Sequence, residues 1–231
     1  MSLSQIREVG VLRLATSADF APFNSQVGGK LSGFEVELGE LLGKALGLKV
    51  AWTVAPFEGI LGGLNSEQYD AVIASHAVTS TRLKLVDFVR PHYCTGGVLL
   101  SRQGGPLDHR ALESRKVGAE AGSTYFSYLQ KLPFQKSVQL FPASDAAIQA
   151  LAFGKVEAVV TDRFAALAAV KTYPKANLVL GEQLWKEEIG TAVSKGNSSL
   201  QKALNGALNT LFQNGQYAAL SKKYFGQDIR C

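Results

Sequence analysis

Two hydrophobic periods alternate along this chain: short runs apolar on both faces, and longer stretches with apolar positions three and four residues apart. Val9–Ala15 has the first pattern and predicts a strand. Gly33 then opens a helix in which Phe34, Leu38, Leu41, Leu42, Ala45 and Leu46 share one face, with Gly47 placed to cap it. Val50–Val54 predicts a second strand, Ile60–Leu64 a short helix, and Tyr69–Ala74 a strand apolar on both faces, as buried parallel strands are. A second series follows: strands Val98–Leu100 and Val117–Ala119, a helix from Tyr125, strand Val138–Phe141, helix Asp145–Phe153 and strand Val156–Thr161. The last third predicts helix Phe164–Tyr173, strands Leu178–Leu180 and Gly190–Val193, and amphipathic helices Leu200–Phe212 and Tyr217–Phe225. Ser198 and Ser199 offer an N-cap to the first of these two.

The series echo each other. Gln68-Tyr69-Asp70-Ala71-Val72-Ile73 and Lys155-Val156-Glu157-Ala158-Val159-Val160 both place polar residues after a helix and before a short strand, as two similar α/β lobes would. In open parallel sheets ligands bind beyond the carboxyl ends of strands. That makes Ala74, Ser75, His76 and Ala77 candidates in one lobe, and Thr161 and Asp162 in the other. Asp162 has two readings at this point: a cap for the helix starting at Arg163, or a ligand contact.

Composition narrows the function classes. With 231 residues, 46% hydrophobic and 19% charged, the chain reads as soluble and globular. It lacks any apolar run near the roughly 18 residues a membrane span needs, and Met1–Val9 lacks the apolar centre of a secretory signal. If the protein is exported, its leader has been removed, and Met1-Ser2-Leu3 could be an added start. The net charge of +5 is spread without a basic block, which argues against nucleic acid. Cys94 and Cys231 are too few for a disulfide framework and too far apart for a zinc ribbon, and leave their pairing open. Catalytic motifs are missing: there is no Cys-x-x-Cys, His-Glu-x-x-His, Gly-x-Ser-x-Gly or Gly-x-Gly-x-x-Gly after a strand. Gly39–Lys44 falls one residue short of a P-loop and lies inside an amphipathic helix. His76, His92 and His109 stand at no metal-ligand spacing, so neither a metal nor a cofactor is expected.

Several stretches in order carry a family resemblance: Leu14 to Phe23, Gly33-Phe34-Glu35-Val36-Glu37-Leu38, Thr79-Ser80-Thr81-Arg82 with Val86-Asp87-Phe88, and Val117 to Thr124. Val156 to Asp162, Ile189 to Val193, and Gly215-Gln216-Tyr217 to Tyr224-Phe225-Gly226 continue the series. Together they resemble the solute-binding proteins of polar amino acid ABC importers over nearly the whole chain. The resemblance implies an α/β fold of two lobes, each a mostly parallel sheet flanked by helices, joined by two hinge strands. Residues 1–93 plus 187–231 would form the first lobe and 94–186 the second, with crossings near His92–Thr95 and Trp185–Ile189. It also implies a periplasmic or extracytoplasmic monomer that closes over an amino acid and presents it to an ABC transporter permease.

An amino acid zwitterion presents a planar carboxylate, which a guanidinium meets with two parallel hydrogen bonds, and a compact ammonium, which needs a carboxylate and neutral acceptors. By resemblance Arg82 grips the α-carboxylate and Asp162 the α-amino group. Backbone groups at Ser75 and Ala77 complete the first-lobe contacts. Thr124, at a helix start after Gly122-Ser123, donates to the carboxylate, with Ser123 as the fallback. Phe20 and Phe57 match positions that flank the ligand's side chain. Two departures stand out: Ala77 replaces a frequent Ser or Thr, and Ser17 stands where many relatives place an Asp that reads the far end of the side chain. Asp19, Glu58 and Glu120 are acids beside these positions, and no Lys or further Arg matches there. A basic ligand is therefore expected, arginine or lysine before histidine, with glutamine as the neutral fallback. Two alternatives remain: a prephenate or arogenate dehydratase on the same scaffold, with Glu120 or Glu188 as the acid, and a sensory ligand-binding domain.

Overall fold

The computed structural model describes all 231 residues and divides them into two compact units. Unit 1 comprises Met1–Ala18, Pro22–Cys94 and Glu188–Cys231; unit 2 comprises Asp19–Ala21 and Thr95–Glu187. Besides the short excursion at Asp19–Ala21, the chain passes between them within two short strands, Tyr93–Thr95 and Glu187–Ile189. Asp19–Ala21, which the sequence reading leaves in the first lobe, groups with unit 2, where the Ala21 amide bonds to the Asp145 carboxylate.

Unit 1 is built on a five-stranded sheet in the order Lys49–Val54, Val11–Thr16, Ala71–Val72, Ala192–Ser194, Val86–Phe88. The first three strands are parallel, and Ala192–Ser194 runs antiparallel to both its neighbours. The strand expected over Tyr69–Ala74 is paired as a ladder only at Ala71–Val72. Its flanks still bond to the central strand through Asp70 N–H to Arg13 C=O and Ile73 N–H to Ala15 C=O, at 2.8 and 2.9 Å. Ala15, Ile60, Leu64, Tyr69, Val72, Val86, Phe88 and Ala192 fill the core on this sheet.

The helix read from the pattern runs Phe34–Ala45, with Gly47 left-handed just past its end. Gly33 precedes it at φ +123°, where a β-carbon would lie 2.3 Å from the Phe23 carbonyl oxygen. No other residue fits that close approach. Phe23 stacks on Tyr93 at 4.7 Å, and Phe34 meets Tyr217 and Phe225 edge-on, so one aromatic cluster joins this helix to the C-terminal helices.

Unit 2 repeats the plan. Its sheet runs Ser137–Phe141, Lys116–Glu120, Ala158–Asp162, Gly97–Arg102, Leu178–Gln183, with three parallel strands followed by two antiparallel pairings. The echo read in the sequence is therefore an echo of strand order. Leu99, Leu112, Val117, Ala119, Leu129, Ala158 and Val160 form its core.

Local differences have physical causes. Val9 ends a helix, Leu3–Val9, rather than starting a strand; Ser2 and Gln5 form a reciprocal capping box and Ile6 is fully buried. The short helix lies at Gly62–Asn65, later than Ile60–Leu64. Asn197, not Ser198 or Ser199, caps the helix Ser198–Gln213, accepting the Leu200 amide. Cys94 and Cys231 form a disulfide inside unit 1, their Cα atoms 4.8 Å apart. No helix is long and apolar enough to cross a membrane.

Candidate functional site

In unit 1 the candidate residues lie at the carboxyl ends of the parallel strands Val11–Thr16 and Ala71–Val72. Ser75 adopts φ +53°, a left-handed conformation that costs a non-glycine residue on the order of 1 kcal/mol and needs support. Buried Glu35 supplies it, accepting the Ser75 N–H on Oε1 and the Ser75 hydroxyl on Oε2, both at 2.9 Å. Ala77 is buried, bridged to Ile189, and its carbonyl accepts Nη1 of Arg82 at 2.9 Å. The Thr79 hydroxyl accepts the Arg82 N–H at 3.2 Å, which tightens the turn that carries the guanidinium.

Phe57 is buried and stacks on His76, centroids 4.2 Å apart and planes 13° from parallel. The Arg82 guanidinium stands 5.6 Å from the same Phe57 ring. Burial, reinforced by the Arg82 charge, holds the His76 imidazole well below its usual pKa, so it stays neutral. The Arg82 guanidinium thus stands beside a neutral ring instead of a competing cation. Ser17 is 6% exposed and donates to Asn24.

In unit 2 Asp162 is fully buried at the end of its strand. Of its two sequence readings the helix cap is what is seen: Oδ1 accepts the amides of Phe164 and Ala165 at 2.6 and 3.0 Å, while Oδ2 accepts the Thr95 hydroxyl at 2.5 Å. Burial raises its pKa to about 7, against those three bonds, with Glu187 adding repulsion. Ser123 is spent on its own helix: its hydroxyl donates to the Glu120 carbonyl at 2.6 Å and accepts the Phe126 amide at 3.1 Å. Thr124, the first residue of helix Thr124–Lys131, is half-buried behind a left-handed Gly122.

The acids divide unevenly. Glu120 is 4% exposed, whereas Glu58 is exposed and lies in unit 1. Asp19 and Phe20 fall in unit 2, and Phe20 is buried. Asp145 lies near Asp19, and burial first, then that charge, raises its pKa to about 6. Glu187, 8% exposed, was missed by the sequence reading, and its Oε2 has no hydrogen-bond partner. Glu35, Asn24, His92 and Thr95 were missed as well. An acid in a helix's first turn ordinarily serves the helix dipole, so nothing in the sequence marks Glu35 as an inward-facing hub. No cluster of His, Cys, Asp and Glu is placed to hold a metal ion.

The duplicated 2-1-3 parallel strand order and the functional groups at its strand ends define a ligand-binding α/β protein, and comparison with known proteins gives the class. Residues 12–227 match the bacterial extracellular solute-binding proteins, family 3, and the chain belongs to that family. The L-cystine-binding protein TcyJ of Escherichia coli (strain K12) is 32% identical, covering 98% of this chain and 87% of that protein. The L-arginine-binding protein of Pseudomonas aeruginosa is 30% identical over 94% and 89% of the two chains. Among solved structures, an ancestral arginine-binding protein bound to glutamine superposes with a TM-score of 0.89 at 37% identity, covering 94% of this chain and 99% of that one. The relatives are binding proteins of amino acid transport, and this chain is a binding protein rather than an enzyme.

Proposed function

We propose that the protein binds a basic L-amino acid, arginine foremost, outside the cytoplasm and delivers it to the permease of an ABC importer. The observation that carries the choice of ligand is an imbalance of buried charge. Glu120, Asp162 and Glu187 of unit 2 are each under a tenth exposed, and no lysine or arginine in the whole chain is buried. Buried carboxylates need a cation to remain ionised without a large desolvation cost. A ligand with two cationic groups supplies it.

In this reading Arg82 takes the α-carboxylate bidentately, with Thr124 as a further donor. Asp162 takes the α-ammonium with an oxygen of Ser75, while Ala77, whose carbonyl already accepts Arg82, offers its backbone N–H to the α-carboxylate. The ligand's side chain extends past Phe20 and Phe57 toward Asp19, Glu120 and the hydroxyl of Ser17, where a guanidinium gains from both carboxylates and ring faces. One ligand that engages residues of both units favours a closed form over an open one, and that form is what a permease would read. Export agrees with the Cys94–Cys231 disulfide, since such bonds persist in oxidising compartments.

Cystine, which the E. coli relative's name states, carries a second ammonium but also a second carboxylate. The acids of unit 2 would repel that second carboxylate. A thermal-shift series over the twenty amino acids and cystine tests the proposal. Arginine, lysine or histidine should stabilise most and glutamine less; stabilisation by cystine, glutamate or leucine with none from the basic set would overturn it.

A further inference from the structure

We propose that Asn24, locked in place by Glu35, commits the Ser17 hydroxyl to donating inward, so that Ser17 meets a ligand only as an acceptor and selects side chains that donate. The inference rests on the reading above that position 17 faces the bound side chain.

The chain of hydrogen bonds has only one possible direction. A backbone N–H can only donate, and the Ala18 N–H lies 2.9 Å from Oδ1 of Asn24, so that atom is the amide's acceptor end. The other end, Nδ2, donates to Glu35 Oε2 at 2.9 Å. Glu35 is itself ringed by donors: the Ser75 N–H and His92 Nε2 on Oε1, at 2.9 and 3.0 Å, and the Ser75 hydroxyl on Oε2. Asn24 and Glu35 are both fully buried, so a reversed amide would set its N–H group against the Ala18 N–H and its oxygen against the Glu35 carboxylate, out of reach of bulk solvent. Since Oδ1 accepts, the Ser17 hydroxyl 3.0 Å away must donate.

A hydroxyl has one hydrogen, and here it is spent. What Ser17 can still offer is lone pairs, one residue past the carboxyl end of strand Val11–Thr16, at the edge where open α/β sheets take ligands. Ser75 is in the same condition, its hydroxyl hydrogen and its amide both given to Glu35. Two serines at this end of unit 1 are therefore acceptors by construction of the network, not by choice of rotamer. A guanidinium, ammonium or amide NH2 is satisfied there. A side chain with only acceptors would set lone pair against lone pair at a residue 6% exposed.

The test separates donor capacity from charge. L-glutamine and the γ-methyl ester of L-glutamic acid are both neutral in the side chain and share its carbonyl, but only glutamine has N–H groups. Each is titrated by displacement of bound arginine from the full chain. The parent should prefer glutamine by about tenfold or more, one lost hydrogen bond to a buried group. In Ser17→Ala glutamine loses its partner and the ester does not, so the preference should shrink to about threefold or less. In Asn24→Ala the hydroxyl is free to turn, and the preference should shrink through relative gain by the ester. Simple loosening of the loop would weaken both ligands alike and leave the ratio unchanged. A parent ratio near one, an unchanged ratio in Ser17→Ala, or one that narrows in Ser17→Ala but not in Asn24→Ala overturns the proposal; should Asn24→Ala fail to fold, Ser17→Ala decides. A parent that binds neither arginine nor glutamine removes the basic-ligand reading first, a failure visible before any variant is made.

Discussion

The Thr95 hydroxyl donates to Oδ2 of Asp162 at 2.5 Å, which ties the first residue of unit 2 after the chain crossing to the buried acid at that unit's strand end. This bond and the two helix amides on Oδ1 favour the ionised form, yet burial outweighs them and Asp162 titrates near 7.

That balance predicts the pH dependence of binding. Below about pH 7 the unliganded carboxyl holds a proton, which an ammonium must displace. Affinity should therefore fall as pH drops from 8 to 6, by at most about tenfold per unit, with proton release seen as a buffer-dependent heat. The stability of the unliganded protein has the opposite sign. A carboxyl whose folded pKa is raised above its unfolded value of 3.8 lets the native state bind the extra proton, so the contribution improves as pH falls from above 7 toward 4. Asp162→Asn should be more resistant to urea than the parent at pH 8 without ligand, while binding more than about tenfold more weakly. Equal affinity at pH 6 and 8 would contradict the assignment.

Arg82 should be required for the α-carboxylate. Arg82→Ala strands that group against the apolar ring of Phe57 and should cost about 2–5 kcal/mol of binding, read by calorimetry. Arg82→Lys should recover only part, because an ammonium cannot make two parallel bonds to one carboxylate. Since Arg82 is only half-buried, thermal stability without ligand should move little in either variant.

Trp185 reports on the second crossing. Its ring stacks on Tyr128 at 4.7 Å and lies where a β-carbon on Gly97 would be 2.3 Å away, two residues before the unit boundary at Glu187. Trp52, hydrogen-bonded to Glu40 at 2.7 Å, belongs to an outer strand of unit 1. A ligand-induced change in emission should persist in Trp52→Phe and vanish in Trp185→Phe. The reverse pattern would misplace the moving segment.

The disulfide closes a sequence separation of 137 residues and fastens the C-terminal tail, whose Ile229 carbonyl accepts the Cys94 amide at 3.0 Å. A loop that long stabilises by roughly 2–5 kcal/mol through the unfolded chain. Reduction, or Cys94→Ala with Cys231→Ala, should lower Tm by several degrees while leaving arginine affinity within about twofold. A large loss of affinity would make the disulfide part of the binding apparatus.

Periodicity made the skeleton legible. The helix Phe34–Ala45, the strands of the two sheets and the C-terminal helices follow from apolar spacing, because burying one face or both leaves a mark on composition. Strand direction leaves none, so the antiparallel pairing of Gly97–Arg102 and Ala192–Ser194 was invisible. The helix Leu3–Val9 was missed because it buries a single residue, Ile6, too little for a period to show. The resemblance supplied Arg82 and Ser17 and gave a role to Asp162, already a strand-end candidate, while the residues that hold them did not emerge. Glu35, between Phe34 and Val36, and Asn24, after Phe23, are polar positions in segments that Gly33 brings together, and sequence spacing does not show that they meet. Cys94 and Cys231 meet for the same reason that sequence could not reveal: proximity set by the fold across most of the chain.

The most direct test of the account is a calorimetric titration of the ligand-free protein at pH 8 with L-arginine, with agmatine, which is arginine without its carboxylate, and with L-glutamate. The account predicts one arginine per chain at micromolar affinity or better, agmatine weaker by about a hundredfold or more, and no heat from glutamate. Glutamate binding as tightly as arginine, or agmatine matching it, would contradict the pairing of Arg82 with the carboxylate and of the buried acids with a basic side chain.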